Sequence, residues 1–188
     1  KVGHAGTLDP LATGLLLVCT GKMTKEISEI QALVKEYTGS FTMGATTPSY
    51  DLETSIDGTF PTDHLDDNAL KEVINQFIGV VDQYPPVFSA IKKHGRRLYK
   101  YARKGEEIKI NSRQVEILAF ELTEIKLPTI DFYVKCSKGT YIRSLANDYG
   151  KALRSGAHLS SLRRTAIGLH RIEEAYTIKQ ITAELELI

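Results

Sequence analysis

Long apolar stretches are absent from this sequence, and cysteine is scarce. No run of 18 or more apolar residues occurs in the 188 residues, which excludes a transmembrane helix. The first apolar run, residues 15–19, is short and has no basic segment of the usual layout before it, so we expect no signal peptide. Only Cys19 and Cys136 are present, both in strand-like apolar runs, which predicts buried, reduced thiols in a cytoplasmic protein.

Metal-ligand spacings are missing as well. Two cysteines and five scattered histidines form neither a Cys-x-x-Cys nor a His-x-x-x-His pattern. Zinc and related ions are usually held by ligands at such short spacings. The sequence therefore predicts no metal site.

Positive charge is distributed unevenly along the chain. The overall net charge is only +1, yet the segment from Tyr84 to Arg113 contains nine Lys or Arg against two acids. That segment, which we call the basic segment, has an excess of seven positive charges and leaves the rest of the chain at −6. This asymmetry predicts an anion-binding surface on a mildly acidic body. The alternative is that the charges form an ordinary solvated helix face, which is the commoner outcome.

Strand and helix patterns mix without the regular alternation of a parallel α/β protein. With 42% hydrophobic and 25% charged residues, the composition is that of one globular domain with room for an insertion. Alternation predicts strands at 15–20, 35–43, 114–125, 130–136 and 159–167. Helical spacing predicts helices at 24–33, 67–77, 96–104, 140–153 and 176–185, with Asp66 as a cap. These patterns favour an α+β fold with antiparallel pairing.

One loop has the composition of a functional site. Residues 3–14 contain three glycines, a histidine, a proline and a single acid, Asp9, and lead into an apolar run. Pro10 fixes its own φ and disfavours helical backbone at Asp9. Because Asp9 is the only acid before Glu26, any acid chemistry in this loop depends on it. The alternative is a structural turn in which Asp9 accepts hydrogen bonds from nearby backbone N–H groups.

The segment 3–14, Gly-His-Ala-Gly-Thr-Leu-Asp-Pro-Leu-Ala-Thr-Gly, resembles the signature loop of the TruB family, the tRNA pseudouridine-55 synthases. Two further motifs follow in the family's order: Lys-Glu-Tyr at 35–37 and Lys-Gly-Thr-Tyr-Ile-Arg at 138–143. The resemblance implies the pseudouridine synthase fold, a mixed, largely antiparallel sheet flanked by helices with a central active-site cleft. It implies one catalytic domain over 1–188, lacking the family's N-terminal segment and its common C-terminal PUA domain, with an RNA-binding insertion at about 84–113.

The resemblance assigns catalytic roles to three residues. It implies that Asp9 is the catalytic aspartate and that Tyr37 stacks on the target base and transfers a proton. It also implies that Arg143 forms an ion pair with Asp9, which would keep the carboxylate ionised and oriented. Taken alone, Tyr37 would be interpreted as a tyrosine at a sheet edge, and Arg143 as an exposed arginine on a surface helix.

Substrate and RNA contacts are implied in the same way. Tyr141 would pack against the base, Leu162 would form a wall of the uracil pocket, and Lys25 would support the site. His4 would fill the stacking gap left in the T loop when the uridine is flipped out. Asp51 lies in the family's Thr/Ser-rich loop but in a sequence that departs from the common pattern, so its role stays open. The implied RNA contacts are Arg96, Arg97, Lys100, Arg103, Lys104 and Arg163.

The implied function is the isomerisation of uridine to pseudouridine at position 55 in the T loop of tRNA, by base flipping. The reaction breaks the N-glycosidic bond, rotates the uracil and rejoins it through C5. It needs no redox chemistry and no external group, so we expect no cofactor and no metal. Asp9 could attack the sugar, attack the base or remove a sugar proton to give a glycal, and the sequence leaves these three routes open.

Other functions compete with this hypothesis. A catalytic subunit that works with guide RNA would share the Asp9 loop, but the amino-acid sequences of residues 10–14 and 99–103 resemble those of the stand-alone bacterial type. That type implies a cytoplasmic monomer that binds the tRNA T stem-loop, without an obligatory protein partner or a membrane. An RNA-binding module without turnover would explain the basic segment but not the joint presence of Asp9, Tyr37 and Arg143. An aspartyl-phosphate enzyme is excluded because the residues around Asp9 supply no second acid or metal-binding pair.

Overall fold

The computed structural model describes residues 1–93, 95–106 and 108–185 of the chain. The strands are β1 (Val2–His4), β2 (Thr13–Gly14), β3 (Val18–Thr20), β4 (Lys35–Met43), β5 (Ala45–Thr46), β6 (Gly58–Thr59), β7 (Gly79–Gln83), β8 (Lys92–Lys93), β9 (Arg96–Arg97), β10 (Arg113–Lys126), β11 (Thr129–Cys136), β12 (Ala157–Ile167) and β13 (His170–Arg171). The helices are α1 (Ile27–Ala32), α2 (Asp67–Ile74), α3 (Leu98–Ala102), α4 (Ile142–Ala152) and α5 (Ile178–Leu185), with 3-10 turns at Gly21–Lys25 and Ile172–Glu174. Within the described residues, no helix is long and apolar enough to cross a membrane.

A seven-stranded sheet organises the molecule. Its main path runs β13-β12-β4-β11-β10-β7, with every neighbouring pair antiparallel, and the short β2 pairs in parallel with β12. The alternating sequence of β4 puts one set of side chains on the core face and the other on the opposite face. The predicted α+β class with a mainly antiparallel sheet is confirmed.

The core lies between one face of this sheet and the helices α2 and α4. Phe41 of β4 stacks on Phe132 of β11 with 4.3 Å between ring centroids. Tyr149 of α4 packs against Phe120 and donates its hydroxyl hydrogen to the Leu70 carbonyl at 2.7 Å. Burial of each such side chain contributes roughly 1.5–3 kcal/mol to folding. This packing fixes α4, whose first turn enters the candidate site, against the sheet.

Most of the sequence-predicted elements are present, with corrections at their ends. The strand predicted at 35–43 matches β4, and the Asp66 cap is confirmed because its carboxylate accepts from the Ala69 N–H at 2.8 Å. The helix predicted at 67–77 ends at Ile74, and the helix predicted at 140–153 begins only at Ile142. Cys19 and Cys136 are buried free thiols, as expected.

Two predicted elements begin later than expected, and several strands were not predicted: β1, β2, β5, β6, β7, β8, β9 and β13. The strand predicted at 15–20 is reduced to β3, because Leu15 bonds to Arg164 of β12 instead of joining β3. The helix predicted at 96–104 begins at Leu98, because Arg96 and Arg97 pair with β8 as strand β9. His94, in the turn between β8 and β9, lies outside the described residues. Strand β7 had no clear alternating signal, yet it forms the edge of the main sheet.

Candidate active site

Asp9 lies in the loop between β1 and β2 and forms a two-point ion pair with Arg143. Arg143 donates from Nε to Oδ2 of Asp9 at 2.9 Å and from Nη2 to Oδ1 at 2.8 Å. The Arg143 side chain is only 3% exposed, whereas that of Asp9 is 31% exposed. A guanidinium fork matched to both carboxylate oxygens fixes their direction. The predicted ion pair is therefore present, and Asp9 keeps one accessible side for a ligand.

The third nitrogen of Arg143 is held by backbone carbonyls. Its Nη1 donates to the carbonyl of Ser49 at 3.2 Å and to that of Phe88 at 2.9 Å. Arg143 stands in the first turn of α4, so the helix brings it to two loops at once. The interpretation of Arg143 as an exposed surface arginine is wrong, because the side chain is enclosed by these loops.

Asp51 places a second carboxylate beside the same guanidinium. Its Oδ2 lies 3.6 Å from Nε of Arg143, and its side chain is 5% exposed. The loop around it is fixed by hydroxyl groups: Thr47 Oγ1 and Ser49 Oγ donate to the Asp51 carbonyl at 2.6 and 3.1 Å. Sequence analysis left the role of Asp51 open, although the closely spaced Thr and Ser residues were the available signal. The structure brings it into contact with the Asp9–Arg143 pair.

A small cavity adjoins this ion pair, and an open cleft lies near it. A small, partly open cavity of about 20 Å³, room for about one water molecule, lies beside Asp9. It is lined by Asp9, Leu11, Ala12, Asp51, Leu159, Ser160, Ser161 and Leu162. An open cleft of about 850 Å³ lies between the loop that carries Pro48 and Thr54 and the basic segment, and Phe88 forms part of its wall. The Phe88 carbonyl that holds Arg143 therefore belongs to a residue of the cleft wall.

Tyr37 stands on β4 and packs against the hydrophobic core. Burial raises the pKa of its phenol to about 12, while the nearby positive charge of Arg164 acts in the opposite direction. The phenol is therefore protonated at neutral pH. Among the described residues, the lining of the small cavity includes Leu162 but neither Tyr37 nor Tyr141.

Tyr141 is fixed by two residues that the sequence analysis did not single out. Gln83, which is 3% exposed, accepts from the Tyr141 N–H at 2.7 Å and donates to its carbonyl at 3.0 Å. The guanidinium of Arg113 lies 4.6 Å from the centre of the Tyr141 ring, a cation–π distance. Both contacts join distant parts of the chain, so no local pattern could have indicated them.

Two predicted substrate residues, His4 and Lys25, and one predicted RNA contact, Arg163, lie at the surface. His4 is exposed on β1, and Lys25 is exposed in the 3-10 turn at Gly21–Lys25. Arg163 is exposed on β12 and makes a long contact of 3.4 Å from Nη1 to Thr13 Oγ1. The next residue, Arg164, is buried against the Asp9 loop. The structure thus brings Asp9, Arg143 and Leu162 together and leaves these three residues outside that cluster.

The basic segment holds its charges at the surface. Arg96 pairs with Glu106 at 3.1 Å, and Arg103 pairs with Glu53 at 3.2 Å. The other cations predicted to contact RNA in this segment are exposed: Arg97, Lys100 and Lys104. Positive charge is therefore available on the surface of the basic segment, and its Lys109 lines the open cleft.

Comparison with known proteins identifies the family. A model described as TruB family pseudouridylate synthase (N terminal domain) matches residues 1–142. The chain belongs to the TruB family. A TruB relative from Flavobacterium johnsoniae, named tRNA pseudouridine synthase B, is 62% identical over 186 residues, which cover 99% of this chain and 81% of the relative. Another with the same name, from Phocaeicola vulgatus, is 51% identical over 99% of this chain and 79% of its own length.

Solved structures agree with this membership of the TruB family. A chain in the crystal structure of a Cbf5-Nop10-Gar1 complex matches with a TM-score of 0.74 and 27% identity, covering all of this chain. A chain of an H/ACA RNP bound to a substrate RNA containing 2′-deoxyuridine matches with a TM-score of 0.63 and 27% identity, covering 91% of this chain. This chain spans only 46% and 40% of those two chains. The predicted pseudouridine synthase fold is confirmed.

Proposed function

We propose that this chain is a tRNA pseudouridine synthase, which converts uridine to pseudouridine at position 55 in the T loop. The names of its TruB relatives support the reaction and the class of substrate. The structural observation that carries the proposal is the two-point contact between Asp9 and Arg143 at the edge of a cavity that Leu162 lines. An oriented carboxylate with one accessible side can act as the nucleophile or the base in glycosidic bond cleavage.

The reaction is balanced within the nucleotide and water. The bond from C1′ to N1 breaks, a bond from C1′ to C5 forms, the C5 hydrogen leaves as a proton, and N1 takes up a proton. Attack on the sugar, attack on the base and removal of a sugar proton all use the Asp9 carboxylate, which Arg143 orients. Tyr37 is the proposed proton-transfer group. Burial raises the pKa of its phenol to about 12, so it carries a proton at neutral pH but is a weaker acid than an exposed tyrosine.

Base flipping must enlarge the space beside Asp9. The cavity there has room for about one water molecule, so a uracil displaces side chains of the lining, with Leu162 and Tyr141 as its proposed neighbours. We assign His4 to the gap left in the T loop, and Lys25 to support of the site. The energy for unpairing and unstacking the base comes from contacts made elsewhere on the RNA.

The basic segment is the proposed grip on the tRNA T stem-loop. Arg96, Arg97, Lys100, Arg103 and Lys104 lie along it, and Arg163 adds a cation on β12. Contacts from such side chains to phosphates supply affinity that falls with salt but carry little sequence information. We further propose that the protein acts as a monomer in the cytoplasm, with no cofactor and no obligatory protein or guide-RNA partner.

The test is tritium release from tRNA labelled with 5-³H-uridine, without added RNA or protein. We expect release by the parent protein, loss of release with Asp9→Asn, and tRNA affinity within tenfold of the parent, which is about 1.4 kcal/mol. Asp63→Asn removes an exposed carboxylate of the same type and serves as the matched control with parent-like release. A second control is a tRNA in which uridine 55 is replaced by cytidine.

The proposal fails if Asp9→Asn retains full release. Tight tRNA binding by the parent without any release would favour an RNA-binding module without turnover. Release that begins only when guide RNA or a partner protein is added would contradict the stand-alone assignment while keeping the isomerase chemistry.

A further inference from the structure

Arg164 is the largest fully buried side chain in the described part of the chain, with 2% exposure. It follows the exposed Arg163 on β12, and neighbouring side chains on a strand point to opposite faces. Among the described residues, no carboxylate lies within ion-pair distance of it. Burial of a cation is unfavourable unless its donors are satisfied, so its contacts must compensate for the hydration that burial removes.

The Arg164 guanidinium binds backbone carbonyls on both sides of Asp9. Before Asp9, Nη2 donates to the Gly6 carbonyl at 3.1 Å and Nη1 to the Thr7 carbonyl at 3.5 Å. After Asp9, Nε donates to the Leu15 carbonyl at 2.8 Å. One planar group with donors in fixed directions therefore connects the entrance and the exit of the Asp9 loop.

The main chain of Arg164 holds the loop exit as well. Its carbonyl accepts from the Leu15 N–H at 2.8 Å, and Arg164 pairs with Gly14 in the short parallel ladder between β12 and β2. A Cβ atom at Gly14 would lie 2.3 Å from the Arg164 carbonyl oxygen, and Gly14 has a φ of +106°. The loop thus meets β12 at a distance that only glycine permits.

Arg164 also connects the loop to the Tyr37 strand. In the antiparallel ladder between β12 and β4, Arg164 lies opposite Tyr37. Asp9, its loop and Tyr37 are consequently positioned relative to one residue, whose side chain neither donates to the Asp9 carboxylate nor lines the small cavity.

We propose that Arg164 is a positioning residue that fixes the Asp9 loop at both ends, so that Asp9 meets Arg143 and the substrate in one geometry. The two buried arginines have separate roles, since Arg143 orients the carboxylate and Arg164 orients the backbone that carries it. The inference rests on the proposed isomerase function. Misplacement of a reacting group by about 1 Å lowers turnover on the order of 100-fold, which sets the expected size of the effect.

Two substitutions separate geometry from charge. Arg164→Lys keeps a cation but offers a single nitrogen, which cannot reach carbonyls on both sides of Asp9, whereas Arg164→Gln removes the charge. We expect both to lower the single-turnover rate at saturating tRNA about 100-fold, with tRNA affinity within about threefold of the parent. Arg154→Lys and Arg154→Gln, at an exposed arginine without a hydrogen bond to the loop, are the matched controls with parent-like rates.

A second measurement reports on the loop without requiring turnover. Amide hydrogen exchange at Ala5, Ala12 and Leu15, whose N–H groups bond within or across the loop, becomes faster in Arg164→Lys. Exchange at Phe132 and Val134 in the core strand β11 stays at the parent rate. If Arg164→Gln fails to fold, the turnover and exchange rates of Arg164→Lys alone test the positioning role.

A parent-like turnover rate with Arg164→Lys overturns the proposal, because the charge alone would then suffice. Equal reductions in rate and tRNA affinity, with faster exchange in both the loop and β11, overturn it in favour of a general contribution to folding. A parent protein that releases no tritium contradicts the proposed function instead, since the exchange measurement still tests whether Arg164 fixes the loop.

Discussion

The Asp9 site and the basic segment both depend on arginine, and they place it in opposite environments. At the Asp9 site, Arg143 is 3% exposed and Arg164 is 2% exposed, and each binds oxygen atoms from several parts of the chain. In the basic segment, Arg97 and Lys100 are exposed and make no ion pair among the described residues. The buried arginines fix the orientation of the groups they bind, and the exposed cations supply a positive electrostatic field.

This difference separates the two properties that a tRNA-modifying enzyme needs. A buried guanidinium that loses one partner leaves a charge without hydration, so substitution there disturbs geometry strongly. An exposed cation loses little when a neighbour changes, since water takes the neighbour's place. We therefore expect substitutions at the Asp9 site to lower turnover and substitutions in the basic segment to lower affinity.

The largest effect tests the buried side of this comparison. Arg143→Lys keeps the charge but cannot bind both oxygens of Asp9 and two carbonyls at once. We expect the single-turnover rate at saturating tRNA to fall about 10²–10³-fold, as when one oriented donor is removed from an active site. The affinity for tRNA should stay within about threefold of the parent.

The measurement is tritium release in single-turnover mode, beside tRNA binding under the same conditions. Arg171→Lys, at an arginine that pairs with Glu36 on another part of the sheet, is the matched control. A rate within threefold of the parent would mean that charge alone, and not the two-point geometry, sustains Asp9. The Asp9 site and the basic segment would then both use arginine only for its charge.

The sequence predicted the Asp9 site better than the contacts that support it. Motif resemblance was enough to predict the pairing of Asp9 with Arg143, although their positions are 134 residues apart. Gln83 and Arg113 hold Tyr141 through contacts between distant segments, which no spacing or periodicity encodes. The conformation of a local loop can be inferred from its residues, but the surface that supports it depends on the tertiary fold.

Strand β12 shows how a local pattern fails. Register shifts between Leu159 and Ser161 and between Arg164 and Ala166 break the alternation that would indicate which side chains point inward. The regular stretch from Leu162 to Arg164 was the available signal that Arg164 points inward, because side chains two positions apart share a face of the sheet. Local pattern also failed in the basic segment. There the first two residues of the predicted helix form strand β9, because they pair with β8.

A smaller effect is expected from the exposed side of the comparison. Charge reversal in Arg97→Glu with Lys100→Glu should weaken tRNA binding about tenfold or more, and should lower the slope of log affinity against log salt by about 1 for each phosphate that is no longer bound. The rate at saturating tRNA should stay within about twofold, because neither side chain contacts the Asp9 cluster. Binding measured from 50 to 200 mM salt tests this, with Lys151→Glu, at an exposed lysine on α4, as the control. A changed rate with unchanged affinity would reverse the assignments of the two regions.

The smallest effect comes from the ion pair that joins the two regions. Arg103 of the basic segment donates to Glu53, two residues after Asp51, at 3.2 Å, and its side chain is 64% exposed. Because exposed pairs contribute little, Glu53→Gln should change the free energy of unfolding by less than about 1 kcal/mol. Removing this carboxylate also frees Arg103 for phosphate, so tRNA binding should become about twofold tighter at 50 mM salt and return toward the parent value at 200 mM.

Urea unfolding and tRNA binding at the two salt concentrations measure these effects, with Glu121→Gln, at an exposed glutamate on β10, as the control. Tighter binding that disappears with salt would place Arg103 with the exposed cations of the basic segment. Weaker binding by more than threefold at both salt concentrations would instead mean that Glu53 presents Arg103 to the RNA in a fixed direction. The basic segment would then share the property that distinguishes the Asp9 site, because a carboxylate would orient its arginine.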